Sequence, residues 1–292
     1  MKIVNIIGGL GNQMFQCAFA IALKEAKRNE IVKLDISHFR GYDLHNGFEV
    51  DKIFDYPLKI ASKEEIKKLT YYIPNYKLSR LARRLLPQKK TEYIEPLENS
   101  YLHDSTALAI QGDCYMEGYW MSASFFNFCR DAVLDAFKFK PFNTLENREY
   151  EKLLSGDNTI SIHIRRGDYL NAPNFVGICT LDYYRAAIKE ARLKITDPMF
   201  FIFSNDQKWC KEKLKDVLGD AEIYFVTSNK GNDSYRDMQL MSLARCNILA
   251  NSSFSWWSAY LNQRKDQIVY APKKWVNSFD DKDAYVDDWI RI

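Results

Sequence analysis

The chain lacks the short signatures of the commonest hydrolytic and phosphate-cleaving sites: it has no HExxH, no nucleophile elbow and no complete P-loop. Its six cysteines (Cys17, Cys114, Cys129, Cys179, Cys210, Cys246) are scattered, with no CxxC pair. Neither a disulfide framework nor a zinc site is expected, and a reducing, cytoplasmic compartment fits. No run reaches the ~18 to 20 uncharged apolar residues that a membrane span needs. The opening Met1-Lys-Ile-Val-Asn-Ile-Ile-Gly8 has a short apolar run without a basic leader and cleavage site, so it reads as a first strand. Formal net charge is only +3, too small for a dedicated nucleic-acid binder. Internal repeats and low-complexity segments are also missing.

The composition that remains is that of an ordered enzyme-sized chain. Hydrophobic residues are 47% and charged residues 27% of 292, which is globular rather than disordered. Tyr and Phe number 18 each with 6 Trp, enough to fill core and still leave rings for the apolar faces of sugars.

Two α/β series organise the chain. Residues 2–7 read as a buried strand, followed by Gly8-Gly-Leu-Gly-Asn-Gln13 and a helix to about Lys27; residues 30–36 read as a second strand ending at Asp35. Residues 40–105 show little periodicity and six Gly or Pro positions, so loops and short helices are expected there. Helical pattern returns at about 122–138 and 145–155. From Thr159 onward, strands at 159–164, 199–203, 222–226, 247–250 and 267–270 alternate with helices. Regular alternation predicts a parallel sheet. The expected architecture is two α/β domains, 1–150 and 151–292, facing a cleft, with ligands beyond the carboxyl ends of the strands.

The segment His163-Ile-Arg-Arg-Gly-Asp168 carries the sharpest chemistry. Arg165 and Arg166 follow an apolar strand directly. Burying part of a guanidinium without an anion is costly, and its planar fork matches phosphate oxygens. A guanidinium fixed beside a departing diphosphate stabilises developing charge. A structural ion pair with Asp168 is the alternative. His163 lies two residues earlier, on the same side of the strand as Arg165.

Asn251-Ser-Ser-Phe-Ser-Trp-Trp-Ser258 forms a strand-to-helix turn. Ser252 and Ser253 either cap the helix or offer hydroxyls to a phosphate; Trp256 and Trp257 read as core. Ser204-Asn205-Asp206, followed by Trp209, reads alone as a helix cap, and Asp237 as an ordinary first-turn acid. In Gly9-Leu-Gly-Asn-Gln-Met14, Gly11, Asn12 and Gln13 sit at a helix start that can meet an anion or a sugar hydroxyl. The same loop with Asp35 suggests a dinucleotide-dependent oxidoreductase, but Met14 stands where the third glycine belongs. A non-catalytic sugar-binding protein is a further rival. Asp281-Lys-Asp283 has the spacing of a metal-binding pair but lies in an acidic stretch read as a solvated tail. The basic amphipathic stretch at 77–90 is either a solvated helix face or a peripheral contact with anionic membrane.

Taken together, Gly8-Gly-Leu-Gly-Asn-Gln-Met-Phe15, His163-Ile-Arg-Arg-Gly-Asp168, Ser204-Asn-Asp206 with Trp209, and Asn251-Ser-Ser-Phe-Ser-Trp-Trp257 resemble the bacterial α-1,2-fucosyltransferases of glycosyltransferase family 11. The resemblance spans nearly the whole chain. It implies a GT-B-like fold of two Rossmann-like domains and an inverting, metal-independent reaction without a cofactor. The implied donor is GDP-fucose, and the implied acceptor a galactose-terminated oligosaccharide or lipid-linked glycan. By the same resemblance, Arg165 and Arg166 face the donor diphosphate, with Arg166 on the β-phosphate. Ser252 and Ser253, with Phe254 and Asn205 beside them, help to hold the donor, and His163 and Asp237 lie near the guanosine. Gly11, Asn12 and Gln13 line the acceptor side. Asp168 stands open between catalytic base and arginine-orienting partner.

Overall fold

Among the described residues, ten short strands, each followed or flanked by helix, build two compact units. A computed structural model of the chain describes every residue except Arg28 and Asp43. The units are Met1–Lys140 with Lys282–Tyr285, and Pro141–Asp281 with Val286–Ile292. The division thus falls at Lys140, ten residues before the expected 150. The reason is the helix Leu145–Leu154, which caps on Thr144. Leu153 and Leu154 pack with Phe142, Phe201 and Val226 in the second unit's core. The acidic stretch near the end is not simply solvated: the Asp283 carboxylate accepts from the His103 backbone N–H at 2.9 Å, inside the first unit.

The first unit holds β1 (Lys2–Asn5), β2 (Val32–Asp35), β3 (Glu92–Ile94) and β4 (Cys114–Glu117). They form one parallel sheet in the order β2-β1-β4-β3. Every residue of β1 is buried, as expected for an inner parallel strand covered on both faces. The helix Leu10–Ala26 packs Met14, Phe15, Ala18, Phe19 and Ala22 inward. The expected short helices of 40–105 include Lys63–Leu69 and Tyr76–Leu85. That region also contributes β3, a three-residue strand at the sheet edge that sequence pattern did not reveal.

The second unit holds β5 (Thr159–Ile164), β6 (Met199–Ser204), β7 (Ile223–Val226), β8 (Cys246–Ile248), β9 (Ile268–Ala271) and β10 (Ile290–Arg291). All pairings are parallel, in the order β10-β9-β8-β5-β6-β7. The chain runs outward from β5 through β7, then returns to place β8 on β5's other flank. This is the doubly wound order, and its switch point lies between β5 and β8. Ile160, Ile162 and Ile164 pack on Tyr184, Ile188, Phe200 and Ile248. Successive residues of β5 point to opposite faces, so His163 is presented on the other one.

Candidate active site

The carboxyl ends of β6, β5 and β8 lie side by side, and the loops that leave them carry the residues singled out in the sequence. From β5 come Arg165 to Asp168, from β6 Asn205 and Asp206, and from β8 Asn251 to Ser253.

The two arginines have different partners. Arg165 meets Asp168 side-on, with Nε 2.9 Å from Oδ1 and Nη2 donating to Oδ2 at 3.0 Å. Arg166 turns toward β6: its Nε donates to Asp206 Oδ2 at 3.2 Å, and its guanidinium lies 4.3 Å from the centre of the Trp209 ring. Its backbone N–H donates to Asn205 Oδ1 at 2.9 Å. No partner for its two terminal nitrogens is present among the described residues. Asp206 also caps the helix Gln207–Lys213 by accepting from the Trp209 N–H. Asp206 is the residue that sequence reasoning left as a plain cap. The Ser-Asn-Asp motif marked it, but its link to Arg166 depends on β6 lying next to β5.

Gly167 is closely packed. A Cβ there would sit 2.5 Å from Asn205 Nδ2, so the Asn205 side chain would have to shift. Tyr169, in the same turn, donates from its hydroxyl to the Asn251 carbonyl at 3.3 Å and stacks on Phe175. This bond joins the arginine loop to the serine loop across the switch point.

Ser252 is buried and caps the helix Ser253–Tyr260 by accepting from the Phe254 N–H. Ser253 and Phe254 are half-buried, while Trp256 and Trp257 are core. Phe254 packs on His163 at 5.7 Å between ring centres. Burial, with Arg165 nearby, pushes the His163 imidazole down to about 3, so the ring is neutral; its Nδ1 is buried with no hydrogen-bond partner. Asp237 accepts from Asn229 Nδ2 at 2.8 Å, and Asn229 is held in turn by Asn147. Burial pushes its carboxyl up to about 7. The structure therefore brings together Arg165, Arg166, Asp168, Asn205, His163, Ser252, Ser253 and Phe254; Asp237 stands in the same unit on the helix Tyr235–Met241.

The first unit's glycine loop differs from expectation. Gln13 is fully buried, and its amide is consumed inside the fold. Nε2 donates to the Gly8 and Gly47 carbonyls, and Oε1 accepts from the Glu49 N–H. Gln13 therefore ties the loop to residues 47–49, where a ligand-facing role was expected, and Gly11 is buried beside it. Asn12 is half-buried, close to Gly8, whose φ of +95° suits glycine alone. Asp35 is buried; its carboxylate accepts from the Ser37 N–H and the Tyr115 hydroxyl. It has no freedom to bind a ribose, which removes the geometric basis of the oxidoreductase reading. Asp281 accepts from the Trp275 and Val276 N–H groups, so it and Asp283 serve as backbone caps.

The family model described as glycosyl transferase family 11 matches residues 1–292. An alpha-1,2-colitosyltransferase of Escherichia coli is 32% identical, covering 99% of this chain and 98% of that protein. The Escherichia coli O-antigen biosynthesis glycosyltransferase WbnK is 30% identical, covering 98% of each. A galactoside alpha-(1,2)-fucosyltransferase 2 of Rattus norvegicus is 25% identical over the whole of this chain and 77% of its own length. In fold, the chain resembles the crystal structure of fucosyltransferase NodZ from Bradyrhizobium, with a TM-score of 0.51 and 15% identity over 88% of this chain and 91% of that one. The α/β fold is GT-B-like. The chain belongs to glycosyl transferase family 11.

Proposed function

We propose that this glycosyltransferase moves L-fucose from GDP-fucose to the 2-hydroxyl of a terminal galactoside, with inversion. The observation that carries the proposal is Arg166. It stands past the end of β5 at the switch point, anchored through Nε, while its outer nitrogens have no protein partner among the described residues. The Ser252–Ser253 turn follows the neighbouring strand and sets the start of a helix, the positive end of its dipole, on the same side of the sheet.

In this reading Arg165, Arg166, Ser252 and Ser253 hold the diphosphate. As the sugar–phosphate bond breaks, charge grows on the β-phosphate oxygens, and Arg166 meets it with no reorganisation because Asp206 and Trp209 already fix its plane. The sugar passes through an oxocarbenium-like state as its bond to the β-phosphate breaks, and the galactoside hydroxyl attacks the opposite face, releasing its proton to water while GDP departs. Asp168 holds Arg165 in place, an orienting role that its hydrogen bond and ion pair favour over that of base. Asp237 and the neutral His163 contact the guanosine, with Phe254 packed on His163. Asn12 faces the acceptor side. These cations supply the charge that a divalent ion supplies elsewhere, so the reaction is proposed to run without metal or cofactor. The six unpaired cysteines are compatible with the cytoplasm.

A second reading has a specific warrant. The 32% identical relative is named for colitose transfer, and colitose is L-fucose lacking one hydroxyl. A screen of GDP-fucose, GDP-colitose and GDP-mannose against β-galactosides, with linkage analysis of the product, separates them. An α-1,2-fucosylated galactoside is expected. Transfer from GDP-colitose alone would favour the second reading, and GDP release without a glycoside product would contradict both.

A further inference from the structure

The helix Tyr76–Leu85 is mounted with its apolar side outward. A surface helix ordinarily buries its apolar stripe and exposes its polar face. Here the inward positions are small or polar: Ser79 is buried with its hydroxyl on the Tyr76 carbonyl, Ala82 is half-buried, and Arg83 is ion-paired to Glu117. Outward, Leu78, Leu81 and Leu85 are 58%, 53% and 75% exposed. Their spacing of three and four puts them in one row along the helix. Leu86, at the helix end, is also exposed. The helix is held by its Asn75 cap, by the Tyr76 N–H on the Arg40 carbonyl and by the Tyr76 ring against Tyr42, so the leucine row is fixed in position.

Cations border the row. Lys77, Arg80 and Arg84 are exposed on the same helix, and Lys90 follows. From Ile66 to Thr91 the sequence has eight Lys and Arg and no Asp or Glu, in a chain whose net charge is only +3. No helix is long and apolar enough to cross a membrane among the described residues. An aliphatic row beside a one-signed basic border is the pattern of a helix lying in a lipid interface. A nucleic acid would use the cations but leave the leucines in water.

We infer that the leucine face of Tyr76–Leu85 docks on an anionic lipid bilayer, with Leu78, Leu81 and Leu85 entering the acyl boundary and the neighbouring cations meeting lipid phosphates. This surface is independent of the donor reading. The test is sedimentation of the full chain with equimolar phosphatidylethanolamine–phosphatidylglycerol vesicles and with phosphatidylcholine vesicles. Binding to the anionic vesicles alone is expected, weakened by salt. Arg80→Glu with Arg84→Glu should weaken it by about fivefold or more per cation. The triple variant Leu78→Ser, Leu81→Ser, Leu85→Ser should lose binding while keeping wild-type turnover on a soluble acceptor and an unchanged circular dichroism spectrum. Absence of wild-type binding to anionic vesicles would overturn the inference. So would a concentration-dependent dimer abolished by the triple variant, which would assign the face to a second copy. Retained vesicle binding by the triple variant would overturn it as well.

Discussion

Arg166 and Asp206 belong to loops that leave adjacent strands, and they meet through one nitrogen only, Nε to Oδ2 at 3.2 Å. The pairing fixes the plane of the guanidinium and leaves its outer edge to other partners. Both side chains are partly exposed, so the ion pair itself adds little stability. Its value lies in aim.

Asp206→Asn tests that division. The new side chain still accepts from the Trp209 N–H, so the helix cap survives and stability should change by less than ~1 kcal/mol. The Arg166 plane loses its charged anchor, and kcat should fall by roughly tenfold, less than removal of the arginine itself costs. Thermal melting and steady-state kinetics together check it. A large loss of melting temperature with unchanged kcat would mean a purely structural role.

Gly167→Ala pushes on Asn205. That amide cannot yield without giving up its bond to the Arg166 N–H. A reduced kcat is expected, with a loss of stability of about 1 kcal/mol, in the ordinary range for a single substitution.

Donor affinity should depend on pH through Asp237. Its carboxyl is raised to about 7 by burial, so the free protein carries it mostly neutral below that pH. If the guanine edge pairs with the carboxylate, binding competes with a proton. The Kd for GDP should then weaken by about tenfold from pH 8 to pH 6. Asp237→Asn should bind more weakly throughout and lose this dependence, as isothermal titration across pH would show. The stability linkage has the opposite sense. A raised carboxyl favours the fold below its unfolded value, and that contribution is lost as pH rises through 7.

Chelation is the simplest check of the proposed charge arrangement. Excess EDTA should leave turnover unchanged. Strong inhibition that manganese restores would instead require a metal on the diphosphate.

Much of this site was legible in the sequence because its signals are local. The Thr159–Ile164 run, with isoleucine at every second position and two arginines directly after it, marks a buried parallel strand with cations at its carboxyl end. Likewise, Asn251-Ser-Ser-Phe announces a strand-to-helix turn. What escaped depends on neighbours distant in sequence. Asp168, three residues from Arg165, was an available partner for either arginine, and only the β5–β6 adjacency assigns Arg166 to Asp206. Gln13 looked like a ligand-facing amide because sequence shows donors and acceptors but not their direction. β3 and β10 are three- and two-residue edge strands, too short for any periodicity. The division at Lys140 depends on the packing of Leu154 rather than on a linker.

The central claim is that Arg166 stabilises the leaving diphosphate in the transition state. Single-turnover transfer from GDP-fucose to a β-galactoside by Arg166→Ala, compared with the wild type at saturating donor, tests it most directly. A rate lower by roughly two to three orders of magnitude is expected, as for loss of one donor at developing charge, with the melting temperature preserved. A rate within a few-fold of wild type would contradict it.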